Sequence, residues 1–205
     1  AGIRRLRQVS VTAGRSWRSS LMRAPDNVSF MPWLRDRGSL TARIQARGHF
    51  AVRVLHQGLD SPTADEALAL GLPRQARAWV REVALSCDGQ IVVFAHTVLP
   101  HRPRGPLSLW LARLGNRSLG ALLFAHPGFE RGKMKFKRLD RRQALFSPAL
   151  AALQLADGAT GALWARRSQF DFAGQSVLVT EVFSPRVLRL SPSGKENSTK
   201  PGWVL

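Results

Sequence analysis

Two β-rich runs flank Asp88-Gly89 within residues 76–99, and this arrangement constrains the chain more than any other feature. Asp-Gly favours a two-residue turn with positive φ at both positions, so the runs must pair as an antiparallel hairpin. The returning run, Ile91-Val92-Val93-Phe94-Ala95, is almost unbroken apolar sequence, as a central strand requires. On the rising run alternation places Trp79, Arg81, Val83 and Leu85 on one side, with Arg81 the lone cation of an apolar stripe. A guanidinium cannot shed its proton to escape burial, and an unpaired buried charge costs several kcal/mol. A second hairpin spans 163–183 and turns at Ala173-Gly174. Its returning strand puts Val177, Val179, Glu181 and Phe183 on one face, a single carboxylate among apolar neighbours. Arg81 and Glu181 are therefore either a structural ion pair or the two poles of a pocket.

The remaining chain supplies helices and edges. Phe30, Trp33 and Leu34 have helical spacing that breaks at Gly38. Ser39 is a good N-cap for a second short helix with Leu40 first inside. Residues 49–57 read as a strand closed by Gly58, with Phe50, Val52, Val54 and His56 on one face. Residues 61–70 form a capped helical turn, and Pro100, Pro103 and Pro106 an extended connector. Leu107, Trp110, Leu111 and Leu114 make a helical stripe ended by Gly115, and Ser118 opens another short helix with Leu119, Leu122 and Leu123. The alternation of lysines with Met134 and Phe136 over 129–139 predicts an edge strand, and residues 145–155 a weak helix. The sum is an α+β domain: one antiparallel sheet of about six strands with helices segregated to one side.

Length and charge set the limits. At 205 residues the chain can bury a full core in one domain. Residues 1–28 hold six arginines against one aspartate without periodicity and are expected to be a flexible basic extension. The ordered domain then spans 29–190, and 191–205 is a polar tail. No apolar run reaches membrane-spanning length and no signal-peptide core follows the early arginines, which predicts a cytoplasmic protein. The single cysteine, Cys87, excludes an internal disulfide and reads as a surface thiol in the turn. The lack of a coiled coil or long apolar stripe predicts a monomer. A net charge of +18 attracts nucleic acid, anionic surfaces and small anions alike. The arginines are scattered and not interleaved with aromatics, however, so no specific nucleic-acid partner is expected.

Chemistry is narrowed mainly by what is missing. The five histidines lack metal-ligand spacing, so no metal is expected. A dinucleotide fingerprint, a phosphate loop and a nucleophile elbow are also absent. What remains is chemistry that needs a pocket and one ionisable group. Ser39-Leu40 and Ser118-Leu119 share one construction, a serine cap followed by a leucine with a free backbone N–H. Such amides serve either as ordinary helix starts or as carboxylate donors.

The chain resembles the chorismate pyruvate-lyase family over roughly residues 30–190. The likeness rests on Gly38-Ser39-Leu40-Thr41, Trp79-Val80-Arg81-Glu82-Val83 with Cys87-Asp88-Gly89, and Thr97-Val98-Leu99-Pro100. It continues through Leu114-Gly115 with Ser118-Leu119-Gly120, Leu163-Trp164-Ala165-Arg166-Arg167-Ser168, and Leu178-Val179-Thr180-Glu181-Val182-Phe183. The resemblance implies a six-stranded antiparallel sheet and an aromatic product buried beneath two helix-turn-helix flaps. It implies that Arg81 binds the ring carboxylate with the backbone amides of Leu40 and Leu119, and that Glu181 meets the oxygen substituents at the far end. The implied reaction eliminates pyruvate from chorismate to give 4-hydroxybenzoate for ubiquinone biosynthesis, without a cofactor and with a product held tightly enough to inhibit. Where the family pattern has methionine, this chain has Leu40. On its apolar face Glu181 is expected to have a raised pKa and to act as a general acid. The same architecture resembles the effector-binding domains of bacterial transcription regulators, in which Arg81 and Glu181 would sense a ligand without transforming it.

Overall fold

A computed structural model describes residues 16–192 apart from 74, 101–106, 108–113 and 116. Seven antiparallel strands form one sheet: β1 (Phe50–Asp60), β2 (Ala78–Cys87), β3 (Gln90–Pro100), β4 (Glu130–Arg131), β5 (Lys135–Leu139), β6 (Leu163–Phe172) and β7 (Gln175–Phe183). Their order is β1-β2-β3-β7-β6-β4, with β5 also pairing β6. Both predicted hairpins are present, β2–β3 and β6–β7. Asp88 (φ 48°) and Gly89 (φ 75°) turn the first, and Ala173 (φ 48°) and Gly174 (φ 73°) the second. All four residues are left-handed, as the twist of a two-residue hairpin demands. Asp88 also ties the turn to the strand entry, since its carboxylate accepts the His49 N–H at 2.7 Å. That approach is so close that a Cβ on Gly48 would lie 2.2 Å from Asp88 Oδ2.

Among the described residues five short α-helices surround the sheet: α1 (Met31–Leu34), α2 (Leu40–Gln45), α3 (Ala64–Ala69), α4 (Leu119–Ala125) and α5 (Phe146–Ala152). They cover both faces rather than one, which corrects the expected segregation. On one face, α1 and α2 pack over Val83, Leu85, Val93, Ala95 and Phe183, while α4 packs over Leu99, Val177 and Val179. On the other, α5 packs over Ala84, Phe94, Ala165 and Val182, and the end of α3 over Val80, Val98 and Leu178. The near-continuous apolar run of β3 carries the reason, because a strand apolar on both sides must be covered on both. The helix expected over 107–114 lies largely outside the described residues.

Three further expectations are corrected. Residues 16–28 are packed rather than loose: Arg18 bridges Phe136, Leu21 is buried and Trp17 Nε1 donates to Asp65 at 2.7 Å. Cys87 ends β2 inside the core and is not a surface thiol. Gly58 does not close β1, which runs on to Asp60 with a bulge between Val54 and His56. Past that bulge the strand's parity reverses. His56 pairs opposite Glu82, away from the face of Val54, and Gln57 comes opposite Arg81.

Candidate active site

Two register rows of the sheet build the site. In the first, Arg81, Thr97, Val179 and Ser168 stand side by side on β2, β3, β7 and β6. In the second, Val83, Ala95, Glu181 and Arg166 do the same one pleat further on. Arg81 and Glu181 thus lie two strand spacings apart, about 10 Å across the sheet, on one face.

Above these rows sit the two helix starts singled out in the sequence. Ser39 caps α2, accepting the Ala42 N–H at 3.3 Å, and Leu40 follows it into the helix. Ser118 immediately precedes α4, whose first residue is Leu119. Leu40 and Leu119 are both buried. The flaps meet through a buried contact between Thr41 Oγ1 and Ser118 Oγ at 2.7 Å. Beneath it lies a cavity of about 30 Å³ lined by Leu40, Thr41, Arg81, Leu119, Phe124 and Glu181, among others. All four sequence-predicted site residues therefore border one space.

Arg81 is 2% exposed, yet among the described residues no carboxylate lies within ion-pair distance of it. Its guanidinium donates to Gln57 Oε1, to Gly115 O at 2.6 Å and to Arg117 O at 3.1 Å. All three acceptors are neutral, and Nε has no partner among the described residues. Burial alone pushes the Arg81 pKa down. The structural ion pair is therefore excluded for Arg81, and a cation remains whose compensating charge the described protein does not supply.

Glu181 differs from its expected setting. Directly across on β6, Arg166 Nε donates to its carboxylate, and Arg166 is itself fixed by Trp33 O at 3.0 Å and Asp36 O at 2.6 Å. Glu181 is thus the acceptor of an ion pair rather than an isolated acid on an apolar face. Arg166 takes this part although the sequence pattern singled out only Arg81 and Glu181. The signal was available, since Trp164, Arg166 and Ser168 alternate onto the face of Glu181. Gln57 was hidden by the β1 bulge, which no local residue pattern announces.

On the opposite face Glu82, His96, Thr180 and Arg167 form a third row, covered by α3. His96 Nδ1 lies 2.9 Å from Glu82, and Nε2 faces Glu66 at 3.3 Å without a well-aligned hydrogen bond. Arg167 reaches Asp65 at 2.7 Å and Glu66 at 3.2 Å. Among the described residues no group of three metal-ligating side chains is placed to hold a metal ion, and no helix is long and apolar enough to cross a membrane.

Comparison with known proteins gives a consistent result. A family model described as chorismate lyase matches residues 16–190. A protein of Dechloromonas aromatica named "Probable chorismate pyruvate-lyase" is 48% identical over 175 residues, covering 85% of this chain and 97% of its own. One of Azoarcus sp. with the same name is 44% identical over 183 residues, covering 87% of this chain and 95% of its own. Among solved structures, the effector domain of PhnF from Mycobacterium smegmatis superposes with a TM-score of 0.53 at 14% identity, covering 73% of this chain and 90% of that one. The last likeness is one of fold.

Proposed function

The chain belongs to the chorismate lyase family and its activity is that of a chorismate pyruvate-lyase; on that premise we propose that the cavity between Arg81 and Glu181 is where chorismate is bound and cleaved. The observation that carries this reading is the buried Arg81 guanidinium, which has only neutral acceptors and a free Nε. A ring carboxylate on Arg81 supplies the missing charge by a charge-assisted bond. The amide groups of Leu40 and Leu119, on the same cavity wall, complete its donors.

With the carboxylate at Arg81, the para position of the ring points toward Glu181. Its carboxylate, held by Arg166, accepts the hydroxyl there and fixes the rotation of the ring. In the reaction the C3–O bond to the enolpyruvyl group and the C4–H bond break. The hydrogen passes to the methylene of the departing enol, which leaves as pyruvate, and the ring becomes 4-hydroxybenzoate. Aromatisation supplies the driving force, and the residues orient and enclose. Glu181 paired with Arg166 replaces the neutral acid expected from the sequence. The cytoplasmic location, the monomeric state and the supply of 4-hydroxybenzoate to ubiquinone biosynthesis belong to the same proposal.

Room for about one water does not admit a ring, so α2 and α4 must part for entry and exit. The purified chain mixed with chorismate alone should generate the absorbance of 4-hydroxybenzoate, and Arg81→Ala should lose it. Binding of chorismate without change would instead mark a ligand sensor.

A further inference from the structure

A second guanidinium on the same face also lacks a carboxylate among the described residues. Arg131 ends β4 and leans over β6, where Nε and Nη2 both donate to Ser168 Oγ, at 3.0 and 2.8 Å. Nη1 donates to Arg37 O at 2.8 Å, in the loop before α2. All its acceptors are neutral, and no ion pair includes it. Its Cζ lies over the rings of Phe124 and Phe170, 5.0 and 5.4 Å from their centroids.

Those contacts place it beside the cavity. Phe124 lines that space from α4, and Ser168 stands in the Arg81 row next to Val179, which also lines it. Arg131 also feels the charges of Glu181 and Arg166. Burial, followed by the repulsion of Arg166, outweighs the opposing pull of Glu181 and Asp36 and pushes its pKa down to about 10.

Chorismate has two carboxylates, and the reading above uses only one. The ring carboxylate goes to Arg81, which leaves the enolpyruvyl carboxylate, meta to it and carried on the leaving group. We propose that Arg131 receives this second carboxylate, making it the residue that separates substrate from product. The inference rests on the assignment of Arg81 to the ring carboxylate. Arg81 lines the cavity and Arg131 stands beside it, neither in an ion pair among the described residues, and the dianionic substrate has one charge for each. After C3–O cleavage the same carboxylate belongs to pyruvate, so Arg131 holds the leaving group while 4-hydroxybenzoate stays on Arg81.

The test compares two ligands that differ in that one group. For Arg131→Gln and Arg131→Lys, KM and kcat for chorismate are measured beside Kd for 4-hydroxybenzoate by calorimetry. Loss of one charge-assisted contact should raise KM for chorismate at least about tenfold in Arg131→Gln. Arg131→Lys should recover part of it, and both variants should bind 4-hydroxybenzoate as the parent does. Retained product binding also reports that the variants fold. An unchanged KM, or losses of substrate and product affinity in equal measure, would overturn the inference and leave Arg131 as a strut between Ser168 and Arg37. Failure of the parent chain to convert chorismate, or unaltered turnover in Arg81→Ala, would instead defeat the underlying assignment.

Discussion

At the scale of the residue, the charges around the cavity divide into those matched inside the protein and those that are not. Glu181 is matched by Arg166, and Arg81 is not matched among the described residues. The two should therefore respond differently to substitution. Arg81→Ala removes the cation proposed to hold the ring, so both kcat and affinity should collapse. Glu181→Gln keeps the shape and an acceptor oxygen but releases Arg166, so kcat should fall more than affinity. Steady-state kinetics beside product binding separates the two patterns. The buried network on the other face predicts a stability effect without a site effect. Glu66 is fully buried between His96 and Arg167, and removing one partner of such a pair costs about 3 kcal/mol. Glu66→Gln should lower stability by about that amount in urea denaturation while leaving product affinity intact. The sequence exposed Arg81 and Glu181 through strand alternation alone. It hid Gln57, which reaches Arg81 only through a bulge, whereas the pairing of Arg166 with Glu181 follows from the two-residue turn of the second hairpin.

At the scale of the element, the hairpins and capped helices were legible because their signals are local. Asp88-Gly89, Ala173-Gly174 and Ser39 act on the few residues beside them. Which face each helix covers was not legible, since α3 and α5 are directed by tertiary packing rather than by their own pattern. Residues 16–28 misled for a related reason. Their arginines suggest a solvated arm, yet Trp17 stacks on Arg167 at 4.0 Å and Leu21 enters the core. The two flaps are short, and their buried hydroxyl contact, Thr41 to Ser118, crosses directly over the cavity. Thr41→Val keeps the volume and removes that bond. Release of 4-hydroxybenzoate should then quicken several-fold, as one neutral hydrogen bond of about 1 kcal/mol implies. Stopped-flow displacement of the product measures it, and an unchanged release rate would show that the contact does not restrain opening.

At the scale of the whole molecule, the sheet separates two kinds of polar chemistry. One face carries cations beneath α2 and α4, and the other carries a closed network that holds α3 to the sheet. That network makes stability depend on pH at both ends. Burial opposes the charge on His96, but Glu66 and Glu82 outweigh it and raise the pKa from 6.5 to about 9. Its contribution is therefore complete below the unfolded value and is lost as pH rises through about 9. Burial likewise opposes the charge on Asp65, but Arg167, Thr63 and Trp17 bring its pKa from 3.8 down to about 2. That contribution is complete above the unfolded value and fades as pH falls toward about 2. Melting temperatures should decline as pH rises from neutral to about 10, and the decline should be shallower in His96→Gln. Net charge of +18 was the most prominent global feature of the sequence and the least informative about function. The cations assigned to the proposed site are two, and position rather than charge density singles them out.

In the proposed orientation the ring is held head-on by Arg81, with its far end at Glu181. A crystal structure of the chain with 4-hydroxybenzoate tests it most directly. The account predicts the ring carboxylate on the Arg81 guanidinium, within reach of the Leu40 and Leu119 amides, and the hydroxyl against Glu181. A product lying the other way round, or bound elsewhere with Arg81 still donating to Gly115 and Arg117, would contradict it.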